Sequence, residues 1–373
     1  MRKRKMKNLG TAGYKLLTPG PLTTTETVKE VMLFDHCTWD DDYKEITQKI
    51  RRDLLKLAQV EETEYTTVLM QGSGSFGVES VLGSVVPKDG CVLLLSNGAY
   101  GERAAKMCSY YEIPCIHVKQ DYNKTPDANE AEELLKTHPE ITHIMMIHSE
   151  TTSGILNDIE SIGKLAEAYG KVFIVDAMSS FVGVEIPVKD WYIDFLISSA
   201  NKCIQGVPGF SFIIANRVLL MESKGRARSL CLDLYDQWAG MEKDGKWRYT
   251  SPTHVVLAFE QAMKELEQEG GIKARHARYQ KNMDTLVENF ENLGFRLYVD
   301  KAWQGPIIAT FLYPEGKHFD FQEMYAYIKE RGYAIYPGKL TDADTFRIGV
   351  IGEIYEEDVL RLTEIMKSYM EQA

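Results

Sequence analysis

"IDFLISSANKCIQGVPGF" (193–210) decides how the rest of the chain is read. It opens as a near-continuous apolar run, passes through small residues, and sets one lysine, Lys202, ahead of the breaker-rich "QGVPG". The apolar part predicts a strand covered on both faces. Lys202 then stands at the tip of that strand. A long cationic side chain loses hydration in such a place, so its presence needs a chemical reason.

Six more runs share this texture: "TTVLM" (66–70), "CVLLLS" (91–96), "PCIHV" (114–118), "ITHIMMI" (141–147), "KVFIV" (171–175) and "FSFIIA" (210–215). Amphipathic segments separate several of them, and one, "ESIGKLAEAYG" (160–170), ends at a helix-stopping glycine. The alternation is a βαβ series. It predicts an α/β fold with a mostly parallel sheet and helices on both faces. After about residue 255 the texture changes. Two long helical stretches, "VVLAFEQAMKELEQ" (255–268) and "ARHARYQKNMDTLVENFENLG" (274–294), flank "EGG". Sparser strands follow at "FRLYV", "PIIATFLY" and "FRIGVI", with helices near 320–331 and from about 356, as in a smaller α+β domain.

In open parallel sheets ligands bind beyond the carboxyl ends of the strands, so the residues after each run matter most. After "TTVLM" comes "QGSGSFGVES", where Gly72, Gly74 and Gly77 satisfy G-x-G-x-x-G. A dinucleotide site also needs an acid at the next strand tip, and "LLLSNGAYG" offers only Ser96 and Asn97. What remains is a helix start whose small residues, Ser73, Gly74 and Ser75, can close around a phosphate; a plain glycine-rich turn is the alternative. Tyr100 in "NGAYG" is placed to lie on a planar ligand or to fill an interface. "HSETTSGILND" presents Thr151, Thr152 and Ser153 either to a ligand oxygen or as helix caps. Asp176 ends its strand in "VDAMSS", where a carboxylate is costly without a positive partner. Asp176 and Lys202 read as a structural ion pair or as two ends of a clamp on a planar, cation-bearing cofactor. Pyridoxal 5'-phosphate needs that second set: a lysine for its aldehyde, an acid for its ring nitrogen and a phosphate cup.

Composition narrows the field. The 373 residues are 44% hydrophobic and 26% charged, with a net charge of −11. That balance argues against a general nucleic-acid or anionic-membrane partner. The basic start "MRKRKMKNLG" has no apolar region behind it and reads as a solvated tail, not a secretory signal. No run approaches the length of a membrane span. Cysteines 37, 91, 108, 115, 203 and 231 are scattered and read mostly as buried thiols in a reducing cytoplasm. The histidines show no metal-binding spacing, and His143 and His148 read as core or site-lining residues.

Residues 14 to 353 also carry a resemblance. "LLTPGPLTTTETVKEVM", "FDHCTWDDDY" (34–43), "QGSGSFGVES", "SNGAYGER", "HSETTSGILND", "VDAMSS", "SSANKCIQGVPGF", "RYTSPTH" (248–254), "YPGK" (336–339) and "FRIGVIGE" (346–353) resemble the class V, fold-type-I pyridoxal phosphate aminotransferases. The resemblance implies a large cofactor domain over 21–265 with a mostly parallel seven-stranded sheet. It implies a smaller α+β domain over 266–373, with residues 1–20 packing near it. Lys202 resembles the lysine that binds the cofactor covalently, and Asp176 the acid on the pyridine nitrogen; these two would be catalytic. Ser73, Gly74, Ser75 and Asn201 match the phosphate cup, Tyr100 the aromatic on the ring, and Thr151 a hydroxyl near the phenolic oxygen. Thr250 matches a residue that reaches the partner subunit's phosphate, implying a homodimer with shared sites. Arg347 matches the arginine that holds a substrate anion; by itself it reads as a strand-edge surface residue. "DHCTWDDDY" and "SSANKCIQGVPGF" favour the branch acting on 2-aminoethylphosphonate and pyruvate. Alanine–glyoxylate or serine–pyruvate transamination is the alternative, and a lyase or desulfurase a more distant one.

Overall fold

The computed structural model describes residues 13–314, 319–338, 340 and 343–372. The basic residues 1–6 and Lys339 of "YPGK" lie outside them. Strands β1 (Tyr65–Gln71), β2 (Cys91–Ser96), β3 (Cys115–Lys119), β4 (Ile141–Ile147), β5 (Val172–Asp176), β6 (Phe195–Ser199) and β7 (Phe210–Asn216) answer to the apolar runs. They form one seven-stranded sheet, ordered β1-β7-β6-β5-β4-β2-β3. Five strands, β6, β5, β4, β2 and β3, run parallel. β7 is antiparallel to both β6 and β1. Its reversal follows from the short loop 200–209, since a parallel return needs a crossover of about a dozen residues or more.

The runs are apolar throughout because successive side chains enter two cores. In β2, Leu93 and Leu95 join one core while Val92 and Leu94 join the other. In β6, Leu196 goes one way and Ile197 the other. Helix α1 (Asp41–Leu57) packs Leu54 and Leu55 on the first face, and α2 (Gly74–Val85) packs Val81 and Leu82 on the second. Helix α3 (Ala99–Tyr110) follows β2 and α4 (Ile159–Ala168) precedes β5.

Helices α5 (Thr253–Glu269) and α6 (Gly271–Asn292) are separated by Gly270 alone, and Gly270 and Gly271 are both left-handed at φ +110° and +76°. Beyond them lies a four-stranded antiparallel sheet of β8 (Arg296–Leu297), β9 (Ile308–Leu312), β10 (Tyr336–Pro337) and β11 (Thr345–Gly349), ordered β8-β9-β11-β10. Phe290, Phe295, Phe311 and Phe346 fill its core. The short strand Lys15–Leu16 pairs in parallel with Tyr333–Ala334, and Gly349 N donates to Leu17 O at 3.0 Å. The chain start is thereby tied to this second sheet, and residues 18–21 run on to the carboxyl end of the large one. Among the described residues no helix is long and apolar enough to cross a membrane.

Glu269 joins the two parts. It forms ion pairs with Arg275 at 2.6 Å and Arg278 at 2.7 Å. Arg275 Nη1 donates to Cys203 O at 2.8 Å, in the loop that carries Lys202. Arg278 Nη1 donates to Gly352 O and Ile354 O beyond β11. Arg275 is buried, so removing its partner leaves a buried cation uncompensated. Glu269→Ala is expected to cost about 3 kcal/mol of stability, read as a lower urea midpoint at unchanged slope.

Candidate active site

β1, β2, β4, β5 and β6 all end at the same side of the sheet. A cavity of about 210 Å³ opens there, and Ser73, Gly74, Ser75, Tyr100, Asp176, Asn201 and Lys202 all line it. The topology thus brings seven of the sequence-derived residues together. Thr151, Thr250 and Arg347 are not among the lining residues.

Lys202 lies three residues past the end of β6. Its Nζ donates to Pro19 O at 2.8 Å. Loss of hydration holds the ammonium below the usual lysine range, against the opposite pull of Tyr100, Cys203 and Asp176. Gly20, at φ +117°, covers the amine so closely that an added Cβ would stand 2.8 Å from Nζ. Asp176 is the buried last residue of β5, and its Oδ1 accepts from Met178 N at 2.9 Å. Burial raises its carboxyl to about 6, with Glu150 adding to the rise. The amine and the carboxylate make no ion pair with each other among the described residues. The structural-pair alternative therefore fails: both groups face one cavity and neither neutralises the other.

Ser73 precedes α2 as its N-cap residue, yet its side chain makes no capping bond. Its hydroxyl and the first N–H groups of α2 are left for an anion. Gly74 has a steric reason: a Cβ there would fall 2.3 Å from Met178 Sδ. Tyr100 is set in the first turn of α3 by Glu150, whose role the sequence did not reveal. Glu150 is fully buried and accepts from Tyr100 N at 3.3 Å, Thr152 N at 2.9 Å and Thr152 Oγ1 at 2.6 Å. Thr152 Oγ1 in turn accepts from Ala99 N at 3.1 Å. Gly98 makes room for this carboxylate, because a Cβ would meet Glu150 Cδ at 2.3 Å. The only sequence signal was a lone acid inside a polar loop.

Arg347 is buried on β11, which β9 and β10 flank, so it is not a strand-edge surface residue. Its Nη1 donates to Thr151 O at 2.8 Å and its Nε to Pro337 O at 3.0 Å. Burial lowers its basicity, while Tyr100, Tyr336 and Glu150 oppose that. Thr151 is buried and meets Arg347 through its carbonyl. Thr250 is exposed in the segment before α5. His143 and His148 are buried and held neutral by lost hydration, at about 4 and about 3, and no metal cluster occurs among the described residues. Cys91, Cys108 and Cys203 are buried and Cys115 partly so, whereas Cys37 and Cys231 are exposed. Cys203 donates to Ser179 O at 3.1 Å, and burial raises its thiol to about 12. A buried thiol held protonated in this way is a poor nucleophile.

The chain matches the family described as "Aminotransferase class-V" over residues 36–361. It is 55% identical over 359 residues to a protein of Lysinibacillus sphaericus (strain C3-41) named "2-aminoethylphosphonate--pyruvate transaminase", covering 96% of this chain and 98% of that one. A protein of the same name from Bacillus cytotoxicus is 56% identical over 352 residues, covering 94% and 96%. Among solved structures, alanine–glyoxylate aminotransferase from Nostoc sp. superposes with a TM-score of 0.89 at 23% identity, over 98% of this chain and 97% of that one. Pyridoxamine–pyruvate aminotransferase from Mesorhizobium loti does so at 0.88 and 22%, over 97% and 94%. These two likenesses concern the fold, which is that of the fold-type-I aminotransferases. The chain belongs to the class-V aminotransferase family.

Proposed function

We propose that this chain is a pyridoxal-phosphate-dependent transaminase that moves the amino group of 2-aminoethylphosphonate to pyruvate, giving phosphonoacetaldehyde and L-alanine. One observation carries the chemistry: a half-buried amine and a buried carboxylate line one cavity without pairing. The substrates follow from the named relatives that share more than half of their residues with this chain.

The residues present fit the cofactor. Ser73 Oγ makes no bond to its own helix, and Gly74 leaves a space that a Cβ would fill. Ser149 lines the cavity with a buried, unpartnered hydroxyl, as a site built around a polar group would. Ser73, Gly74, Ser75 and Asn201 would hold the phosphate, Tyr100 the ring face, Asp176 the ring nitrogen, Thr151 the phenolic oxygen and Lys202 the aldehyde. Thr250 would reach the phosphate held by a second copy, which makes the working form a homodimer. When bound, the cofactor supplies an electron sink for the carbon next to the substrate nitrogen.

The chain's own groups do the rest. Desolvation leaves Lys202 Nζ ready to be a neutral base, and it takes the proton from the carbon that bears the substrate's amino group. In the second half-reaction the same amine returns a proton to the keto acid's carbon. Pro19 O fixes the direction of that amine. Asp176, ionised above its pKa of about 6, gains from a positive charge beside it, so it favours a protonated ring nitrogen. Arg347 receives a phosphonate in one half-reaction and a carboxylate in the other, both suited to a planar guanidinium. Its bonds to Thr151 O and Pro337 O set its plane in advance. All six cysteines are free thiols, which supports a reducing cytoplasm.

Mixing the purified protein with 2-aminoethylphosphonate and pyruvate should yield alanine. Faster turnover of alanine with glyoxylate, or of serine with pyruvate, in parallel reactions would sink the substrate assignment. Lys202→Ala should lower turnover by about 10³-fold or more, and normal transamination by that variant would exclude the lysine. Asp176→Asn should slow turnover by about 10²-fold yet stabilise the cofactor-free protein. The sign follows from a folded pKa of about 6, above the unfolded value near 3.9. The destabilisation by the buried carboxylate is full above pH 6 and fades as pH falls toward 4. The Tm gain of Asp176→Asn should therefore be largest near pH 7.5 and shrink at pH 5; a loss of Tm at pH 7.5 would contradict this account.

A further inference from the structure

The phosphate cup is electrically incomplete as described so far. A phosphate monoester carries close to two negative charges at neutral pH. A helix N-terminus offers roughly half a positive charge. Serine hydroxyls and backbone N–H groups add dipoles and no net charge. Among the described residues Lys202 is the only lysine lining the cavity, and it is committed to the cofactor's aldehyde at the opposite end. Arg347 is turned toward Thr151 O and Pro337 O. The cavity also carries Asp176, with Glu150 close enough to raise its pKa. A dianion in this setting needs a further cation.

One is in place. Arg103 is the only arginine among the described residues that line the cavity. It stands three residues after Tyr100 on α3, and its Nη1 donates to Ser75 Oγ at 2.9 Å. Its guanidinium carbon lies 5.1 Å from the centroid of the Tyr100 ring, within cation–π range. Its charge is felt at Asp176. Two contacts thus direct an otherwise exposed arginine to the cup residue and to the ring-face residue at once. Resting on the transaminase reading above, we propose that Arg103 supplies the counter-charge of the cofactor's phosphate. It is held at the cup by Ser75, and through its contact with Tyr100 it sets where phosphate and ring lie relative to each other. Arg103 is a binding and positioning residue with no part in proton transfer.

The test separates charge recognition from folding. Full-length protein is stripped of cofactor and titrated with pyridoxal phosphate and, separately, with pyridoxal, which lacks the phosphate. Binding is read from the cofactor's absorbance. Arg103→Ala should weaken pyridoxal phosphate by about tenfold to a hundredfold and leave pyridoxal unchanged. Arg103→Lys should recover part of the loss, because the charge returns without the planar fork. Inorganic phosphate should compete with pyridoxal phosphate less effectively in Arg103→Ala than in the parent protein. An equal loss for both ligands would show a structural role and overturn the proposal, as would unchanged affinity for pyridoxal phosphate. Failure of the parent protein to bind pyridoxal phosphate at all would instead overturn the transaminase reading beneath it.

Discussion

Keeping a half-buried amine and a buried carboxylate apart, on walls of one cavity, is the constraint on which this structure turns. Left to themselves, the two would pair and neutralise each other. The sheet prevents it by fixing Asp176 as the final residue of β5 and throwing Lys202 three residues past the end of β6. Each group then finds a weak local partner, Met178 N for the acid and Pro19 O for the amine. Those bonds orient the side chains without discharging them. The cost appears as opposed pKa shifts: the acid is harder to ionise and the amine easier to deprotonate. A site carrying such unrelieved costs is poised to bind something that relieves them.

Around that pair, the supporting shell works through backbone groups. Glu150 collects the start of α3, so Tyr100 is set by main-chain geometry, with Gly98 giving the carboxylate room. Arg347 is aimed by two carbonyls from different parts of the chain. Glu269 and its two arginines brace the loop that bears Lys202 against the end of β11. Small residues stand around the site because side chains crowd in there: a Cβ on Gly20, Gly74 or Gly98 would press on Lys202, Met178 or Glu150.

Much of this was legible before any coordinates. A strand buried on both faces leaves a continuous apolar run, so the seven strands and the residues at their tips could be read from local pattern alone. Lys202 and Asp176 stood out because a charge at the end of such a run is anomalous. What stayed hidden depends on pairs distant in sequence. Nothing local to Glu150 says that it will hold residue 100, and nothing local to Pro19 says that its carbonyl will meet residue 202. Thr151 drew notice for its hydroxyl, while the contact the structure shows runs through its carbonyl to Arg347. The choice between ion pair and clamp was open for the same reason, because it turns on side-chain geometry that spacing does not encode.

The tether of the chain start has a consequence for how the protein is made. Residues 15–16 are made some three hundred residues before the strand they pair with, Tyr333–Ala334. Leu17 must likewise wait for Gly349 before its carbonyl is used. The strand that carries Pro19 is therefore not held in place until residues 333–349 have been made. The aim of the amine thus depends on segments far apart in the order of synthesis, and a chain that stops short of them lacks the contact that points it.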